Sequence, residues 1–470
     1  MKKFYFSLVA MVMVAFSNTI SAAEDFWYQN LAYKIISEAY HTVEVTKPSA
    51  GYTSLSGEIV IPSSVSNNGK NYDVVAVGAS AFVRCAGITS VTFPESVTII
   101  GNSAFWKCSN LSTINFAPNY NLKEIRSGAF SETAITEVTI PQSVERLSDA
   151  FAYNSELTTV NLHNGMLTAG VYQNCPKLKN ITLPDGIELL GACMFSGCTS
   201  ITSITIPNSV QQIQLAAFKG TSITSITIPS SVEAIEEKAF AECRNLKTVT
   251  IPSTVTRYGN GGVQMFADCT GLTSVNLQND YICSNQFSGC TSLKTVTIGS
   301  NVTVFSNSAP FDGCPIETLT VGSDIAADIA KYSAAKSTLK TLTLNEGVTA
   351  LPENAFKDCS ELLTVSMPST LKSIGNSAFE NCAKMTDVTV KMVKPFPIDE
   401  SVFRGVLQHG YCDLHVPAGS KIRYSAMEVW KEFAVITEDA GPGMIRGDVN
   451  ADGTVDIADV VTVLNIMAGQ

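Results

Sequence analysis

The sequence predicts an α/β repeat fold: a solenoid whose coils share a parallel β-sheet, with short turns and helices on the return side. A β-rich cap precedes the coils, and a small loop–helix unit follows them. Three observations predict this fold. An apolar run of β type, a proline, a spaced pair of aliphatics and an Ala-Phe-x-x-Cys phrase follow one another repeatedly. The phrase is cleanest at Ile201-Thr202-Ser203-Ile204-Thr205-Ile206-Pro207, then Val210 and Ile213, then Ala217-Phe218. The period is roughly 20–25 residues, a spacing at which one unit cannot bury its apolar face and stacked neighbours do so instead. The aromatic slot runs through Phe82, Phe105, Phe130, Phe151, Tyr172, Phe195, Phe218, Phe240, Phe266, Phe287, Phe311, Phe356, Phe379 and Phe403. About fifteen coils follow from that count, one of them degenerate.

Each coil opens with Leu/Ile-x-x-Ile/Val-x-Ile/Leu, as in Leu272 to Leu277 and Leu293 to Ile298. In a strand, alternate side chains face opposite sides, so the aliphatics point to the core and the x positions outward. Pro94, Pro141, Pro184, Pro207, Pro229, Pro252 and Pro368 follow these runs. Lacking an N–H, proline ends the ladder and turns the chain out of the sheet. The Ala-Phe segment that returns the chain is too short for a long helix. Between Phe311 and Phe356 the gap is about twice the period; there Leu339, Leu342 and Leu344 supply the strand, with Ser333 near the aromatic slot.

Residues 1–23 read as an export signal: Lys2 and Lys3, an apolar stretch over 4–16, then Ser21-Ala22-Ala23, with cleavage after Ala22 or Ala23. That apolar stretch is too short to span a membrane stably. No cysteine follows the cleavage region, which argues against a bacterial lipid anchor there. The expected location is therefore secreted or at the cell surface. The chain is 45% apolar and 16% charged, with a formal net charge of -11. An acidic chain without a lysine/arginine block is a poor match for nucleic acid or an anionic membrane.

Thirteen cysteines in an exported chain would ordinarily suggest disulfides. Cys85, Cys108, Cys175, Cys198, Cys243, Cys269, Cys290, Cys314, Cys359 and Cys382, however, all sit three residues after the aromatic slot. Thr133, Asn154 and Thr221 hold the same place elsewhere. Threonine cannot replace half a disulfide, so the slot reads as a small, buried, weakly polar packing position. Cys193, Cys283 and Cys412 lie off this row. The histidines His41, His163, His409 and His415 show no metal-ligand spacing, and each reads as packed or facing solvent. Trp106 reads as a packing residue.

Before the coils, Tyr33 to Ile36, Thr42 to Val45 and Gly57 to Pro62 alternate like short strands, which closes one end of the stack. After Phe403, Cys412 to Pro417, Tyr424, Trp430 and Phe433 make a matching closure. The expected partition is a signal over 1–23, an amino-terminal cap over 24–73 and repeats over 74–405. A carboxy-terminal cap over 406–436, a Gly/Pro linker over 437–446 and a calcium repeat over 447–470 complete it.

The Ile-Pro-x-x-Val and Ala-Phe-x-x-Cys phrases, repeated from about Val74 to Phe403, resemble the BspA-like leucine-rich repeat family. That resemblance implies a secreted or surface-displayed, adhesin-like binding protein and not an enzyme. No paired carboxylates, nucleophile elbow or phosphate-cradling loop stands outside the repeat grammar. The partner expected is a host or neighbouring-cell protein, engaged through outward hydroxyl rows that include Thr202, Ser203, Thr205, Thr224, Ser225, Thr227, Thr273 and Ser274. Threonine also simply suits an exposed strand position. The alternative is an accessory or glycan-binding component carried into an extracellular multiprotein complex by the carboxy-terminal module. Few aromatic platforms stand at the outward positions, which favours a protein ligand.

In that module, Asp448, Asn450, Asp452, Asp456 and Asp459 stand at positions 1, 3, 5, 9 and 12 of a loop, with Gly453 at position 6 for the sharp turn. Thr454, at position 7, offers its backbone carbonyl. This is the oxygen set that Ca²⁺ requires. Val460, Val463, Leu464 and Met467 then follow at helical spacing. The unit resembles half of a type I dockerin, which implies recognition positions at Ile457 and Ala458 and a cohesin-type partner. Dockerins carry two such repeats, and one is present here. Arg446-Gly447-Asp448 spells an integrin-type tripeptide, but its aspartate belongs to the calcium loop.

Overall fold

The computed structural model describes residues 24–52, 54–116, 121–162, 169–259, 263–305, 309–324 and 333–439. The segments read from the sequence as an export signal and a calcium repeat lie outside them. The chain divides into two compact units, Met1–Ser222 and Ile223–Gln470.

The first unit opens with antiparallel strands Phe26–Tyr28, Leu31–Ser37 and Thr42–Thr46, which bury Tyr33, Val43 and Val45. Thr42–Thr46 then pairs in parallel with Lys70–Val77, so the cap hands its edge to the repeats in the direction they use. Strands Gly57–Val60, Ile88–Phe93 and Thr113–Phe116 form one parallel ladder. Glu137–Thr139, Thr159–Asn161 and Asn180–Thr182 form another.

In the second unit a nine-stranded sheet, counted among the described residues, runs from Thr248–Ile251 to Ile436–Glu438. Its members pair in parallel: Val275 lies against Val296, Val296 against Leu319, and Leu319 against Leu342. Residues alternate between half-buried outward and fully buried inward positions, as the Thr-Val-Thr-Ile of Thr295–Ile298 illustrates. The proline after the strand uses its carbonyl as well as its missing N–H. Val97, Val144, Val210, Val232 and Val255 each donate their N–H to the carbonyl of the proline three residues back, at 3.1–3.3 Å. That bond is the physical content of the Pro-x-x-Val phrase.

The spaced aliphatics do more than fill the core. Ile99–Ile100, Glu124–Ile125 and Arg146–Leu147 pair in parallel and form a second, narrow ladder; Tyr281–Ile282 and Val304–Phe305 do so in the second unit. Many coils therefore have two hydrogen-bonded sides where the sequence predicts one sheet. Two-residue strands are too short to show period-two alternation, which is why the pattern does not reveal them.

On the return side the coils are joined by backbone bonds outside any sheet. Phe82 N–H donates to Ala104 O at 2.7 Å, Phe105 N–H to Ala129 O at 2.7 Å, and Phe130 N–H to Ala150 O at 2.8 Å. The turn that permits this places two left-handed residues in most coils, one two positions before the ring residue and one two positions after it. Ser80 and Arg84 (φ 56° and 62°), Ser103 and Lys107 (54° and 61°), and Asn354 and Asp358 (58° and 60°) are examples. Non-glycine residues in that region cost roughly 1 kcal/mol each, and the buried aromatic between them offsets it. Cys193, off the thiol row, is one of these left-handed residues (φ 56°).

The rings stack face to face. Phe82 and Phe105 have centroids 4.8 Å apart, Phe105 and Phe130 5.2 Å, and Phe266 and Phe287 5.5 Å, with planes within 16°. Tyr52 heads the stack in the first unit, 5.4 Å from Phe82, its hydroxyl accepting from Ala32 N–H and donating to Thr46 O. In the second unit Trp430 and Phe433 meet Phe403 edge-on at 6.0 and 5.2 Å, and Trp430 Nε1 donates to Phe396 O. The degenerate coil keeps its strand, Thr341–Leu344, in the ladder and replaces the turn by a 3-10 helix, Ser333–Ser337. Lys421–Ser425 is the single α-helix described.

Two opposite effects are expected in denaturant melts. Phe105→Ala should cost about 3–5 kcal/mol through lost burial and the cavity left behind, against well under ~1 kcal/mol for Thr297→Ala on the outward side. Tyr172 is fully buried and its hydroxyl has no hydrogen-bond partner, so Tyr172→Phe should stabilise by about 1 kcal/mol.

Candidate binding face

Outward-facing side chains of the nine strands form two rows. Ser274, Thr295, Thr318, Thr341 and Thr364 follow one another in register in the first, and Asn276, Thr297, Thr320, Thr343, Ser366 and Thr389 in the second. Parallel neighbours are ~4.8 Å apart, so the face is a regular grid of small uncharged side chains, hydroxyls at every position named but Asn276. No phenylalanine, tyrosine or tryptophan stands in either row. The charged residues lie mainly beside it, where coil-to-coil ion pairs such as Lys384–Glu361 at 2.7 Å and Lys357–Glu380 at 2.7 Å satisfy them. Lys294 at 2.7 Å and Lys340 at 2.8 Å clasp Glu317 and hold its carboxyl down to about 2.

All eight hydroxyl residues named from the sequence point away from the core: Ser274 is half-buried and the other seven are exposed. They do not form one continuous ladder. Thr202, Ser203 and Thr205 belong to the first unit and the rest to the second. The stretches 201–207 and 223–229, the cleanest copies of the phrase, keep the alternation of burial but form no β-strand; nothing in their sequence explains it. Ser274 is in the grid, and the Thr273 hydroxyl donates to Lys247 O at 3.1 Å. The proposed calcium ligands Asp448, Asn450, Asp452, Thr454, Asp456 and Asp459, and the recognition positions Ile457 and Ala458, lie outside the described residues.

Sequence reasoning passed over His415. It occupies an outward position of Asp413–Val416, cross-strand from Thr389 and Thr437. Its Nε2 lies 3.3 Å from Asp387 Oδ1 and its Nδ1 2.8 Å from Thr437 Oγ1. A carboxylate only accepts, so Nε2 carries a proton, and Nδ1 meets the threonine hydroxyl, which can serve either role. The sequence signal was there: aligning Asp387-Val388-Thr389-Val390 with Asp413-Leu414-His415-Val416 puts the histidine on the face. Beside it the sheet forms a hollow of about 410 Å³, floored by Thr343, Ser366 and Thr389 and ended by Asp387, His415 and Asp439. Of the other histidines, His41 packs against Tyr72 and His409 on Tyr411. Trp106 is held between Arg84 and Lys107 and donates to Glu132, a self-contained contact.

The row cysteines act as buried packing residues and hydrogen-bond donors. All thirteen are free. Cys108 Sγ donates to Phe82 O at 3.0 Å, Cys198 Sγ to Tyr172 O at 3.0 Å, and Cys382 Sγ to Phe356 O at 3.2 Å, each reaching the ring residue of the preceding coil. Where asparagine stands in the slot, Asn154 Nδ2 makes the same bond to Phe130 O at 2.9 Å. The slot therefore wants a small donor, which is why cysteine and asparagine interchange. Burial pushes the Cys108 and Cys175 thiols up to about 12, far from the thiolate a nucleophile or metal ligand requires. Among the described residues no cluster of three acidic, histidine or cysteine side chains is arranged to hold a metal, and no helix is long and apolar enough to cross a membrane.

Comparison with known proteins agrees with this architecture. The profile of the BspA type leucine rich repeat region (6 copies) matches residues 75–172, 166–280, 262–386 and 327–408. The chain belongs to that family, and its fold is a leucine-rich-repeat solenoid. Among solved structures, a leucine-rich repeat protein from Bacteroides ovatus is 22% identical, covering 78% of this chain and 94% of that one at a TM-score of 0.49. A leucine rich cell surface protein from Faecalibacterium prausnitzii is 24% identical over 80% and 96%, at 0.40. The pneumococcal vaccine antigen PcpA is 16% identical over 90% and 100%, at 0.41. No curated protein matches.

The row thiols should resist iodoacetamide at pH 8 in the native protein and react once it is unfolded without reductant, as read by mass spectrometry. Coil-to-coil disulfides recovered from the unfolded chain would contradict the packing role.

Proposed function

We propose that this protein is an exported, adhesin-like binding protein that engages a host or neighbouring-cell protein through the outward face of its nine-stranded sheet. The observation that carries the reading is the hydroxyl grid. Strands fixed on two hydrogen-bonded sides hold it rigid, so little side-chain or loop ordering is charged against association. Hydroxyls both donate and accept, which suits a polar protein surface or backbone. The absence of phenylalanine, tyrosine and tryptophan from the two rows is a weak match for sugar rings, which favours protein over glycan. Lys2, Lys3 and the apolar stretch over 4–16 support export.

A second reading is favoured by one specific observation, the oxygen spacing from Asp448 to Asp459. This segment is proposed to bind Ca²⁺ through Asp448, Asn450, Asp452, Asp456, Asp459 and the Thr454 carbonyl, and to attach the solenoid to a larger extracellular assembly through a cohesin-type partner. The donors are all oxygen, the chemistry a hard cation takes.

The face is tested by Thr297→Lys combined with Thr320→Lys. Stability should change by less than about 1 kcal/mol, while retention of extracellular-matrix proteins in a pull-down should be lost; retention of polysaccharides alone would overturn the protein reading. For the carboxy-terminal segment, calorimetric titration of the full chain should show a Ca²⁺ binding event that Asp448→Ala abolishes with the solenoid's melting unchanged. No event up to about millimolar calcium, the range of weak extracellular sites, would remove the calcium proposal.

A further inference from the structure

The hydroxyl grid changes character over its last strands. Register places Asp387 directly beside Asp413 on neighbouring strands, in the row that Thr341 and Thr364 occupy before them. Like charges directly opposite one another on a sheet repel. Elsewhere in this unit several carboxylates next to a neighbouring coil are met by lysine, as at Glu317, Glu361 and Glu380, and others by neutral donors of the next coil, as Asp324 is by Thr349 and Glu346 by Ser369. Asp387 accepts from the Thr386 hydroxyl at 2.6 Å and faces His415, a partner that is charged only when protonated; no lysine or arginine pairs with it among the described residues. Asp413 and Asp439 form no side-chain hydrogen bond or ion pair among the described residues. Asp387 and Asp439 also bound the hollow of about 410 Å³, which is large enough for the end of a long side chain and the backbone that carries it.

We propose that this hollow seats a basic side chain, a lysine ammonium or an arginine guanidinium, presented by an extended segment of the protein partner. The inference rests on the sheet-face reading and adds the chemistry of its anchor. Asp387 and Asp439 supply the counter-charge, and the floor of Thr343, Ser366 and Thr389 offers hydroxyls to the segment's backbone. Thr437 is a positioning residue: its hydroxyl meets His415 Nδ1, which fixes the ring with a proton on Nε2 and holds the Asp387 carboxylate in place. An incoming cation relieves the repulsion between Asp387 and Asp413, so part of the attraction is stored in the free protein.

A random peptide library displayed on phage and panned on the full chain tests this, with enriched peptides titrated by fluorescence anisotropy. Enriched peptides should carry lysine or arginine and bind more weakly as salt rises. Asp387→Asn with Asp439→Asn should weaken them about tenfold or more. In the free protein, Asp413→Asn should raise the denaturant midpoint or leave it unchanged while weakening the same peptides. Peptides without basic residues, basic peptides indifferent to the aspartate changes, or no enrichment at all would each overturn the proposal. Two of these results are separable from failure of the sheet-face reading. Peptides that ignore the aspartates but are lost with Thr297→Lys and Thr320→Lys leave that reading standing, and peptides indifferent to both sets remove both.

Discussion

The carbonyl of the buried ring residue is the point on which each coil depends. It sits in the core with two lone pairs to satisfy, and an unpaired buried acceptor costs about 1–3 kcal/mol. The coil's own chain supplies one partner: the N–H of Cys108 donates to Phe105 O, and that of Cys269 to Phe266 O. Where cysteine or asparagine holds the slot, the next coil supplies the other, as Cys290 Sγ does for Phe266 O, whereas Thr133 and Thr221 bond the ring carbonyl of their own coil. Because the cysteine or asparagine donor lies one coil away, neighbouring turns must stand at one height and one rotation. The ring stack, the backbone bonds from Phe to Ala and the two strand ladders all follow from that alignment. The left-handed residues on either side are its conformational cost.

Much of this was legible in the sequence, and the limits have physical causes. Strand, proline turn, ring and thiol recur at a fixed period, so periodicity reports them directly. The reading of the cysteines as packing rested on Thr133 and Asn154 sharing their slot, and both side chains act there as donors. The second ladder was not legible because two residues carry no alternation. Neither was Tyr52 at the head of the ring stack, since it lies outside the repeat grammar. Ile201 to Ile206, the phrase that looks most regular, forms no strand, so regularity of sequence did not measure regularity of hydrogen bonding.

The candidate site was legible as a surface and not as a constellation. Outward threonines follow from parity alone. The contact between Asp387, His415 and Thr437 joins three different strands, and no local pattern links residues 28 and 22 positions apart. It appears only when coils are aligned and read across, in the direction of the hydrogen bonds. The grid reaches its full regularity between Thr295 and Thr389.

The degenerate coil carries a consequence of another kind. Between Phe311 and Phe356 one turn has given up its ring and adopted a 3-10 helix, yet Leu342 still pairs with Leu319 and Val365 on either side. Each junction is thus a local handshake that reads only the coil before and the coil after. A gene encoding such a chain can gain or lose a whole period by unequal recombination and still yield a protein that closes at both caps. Array length becomes an inherited variable, free to drift while the ends and the chemistry of the face are kept.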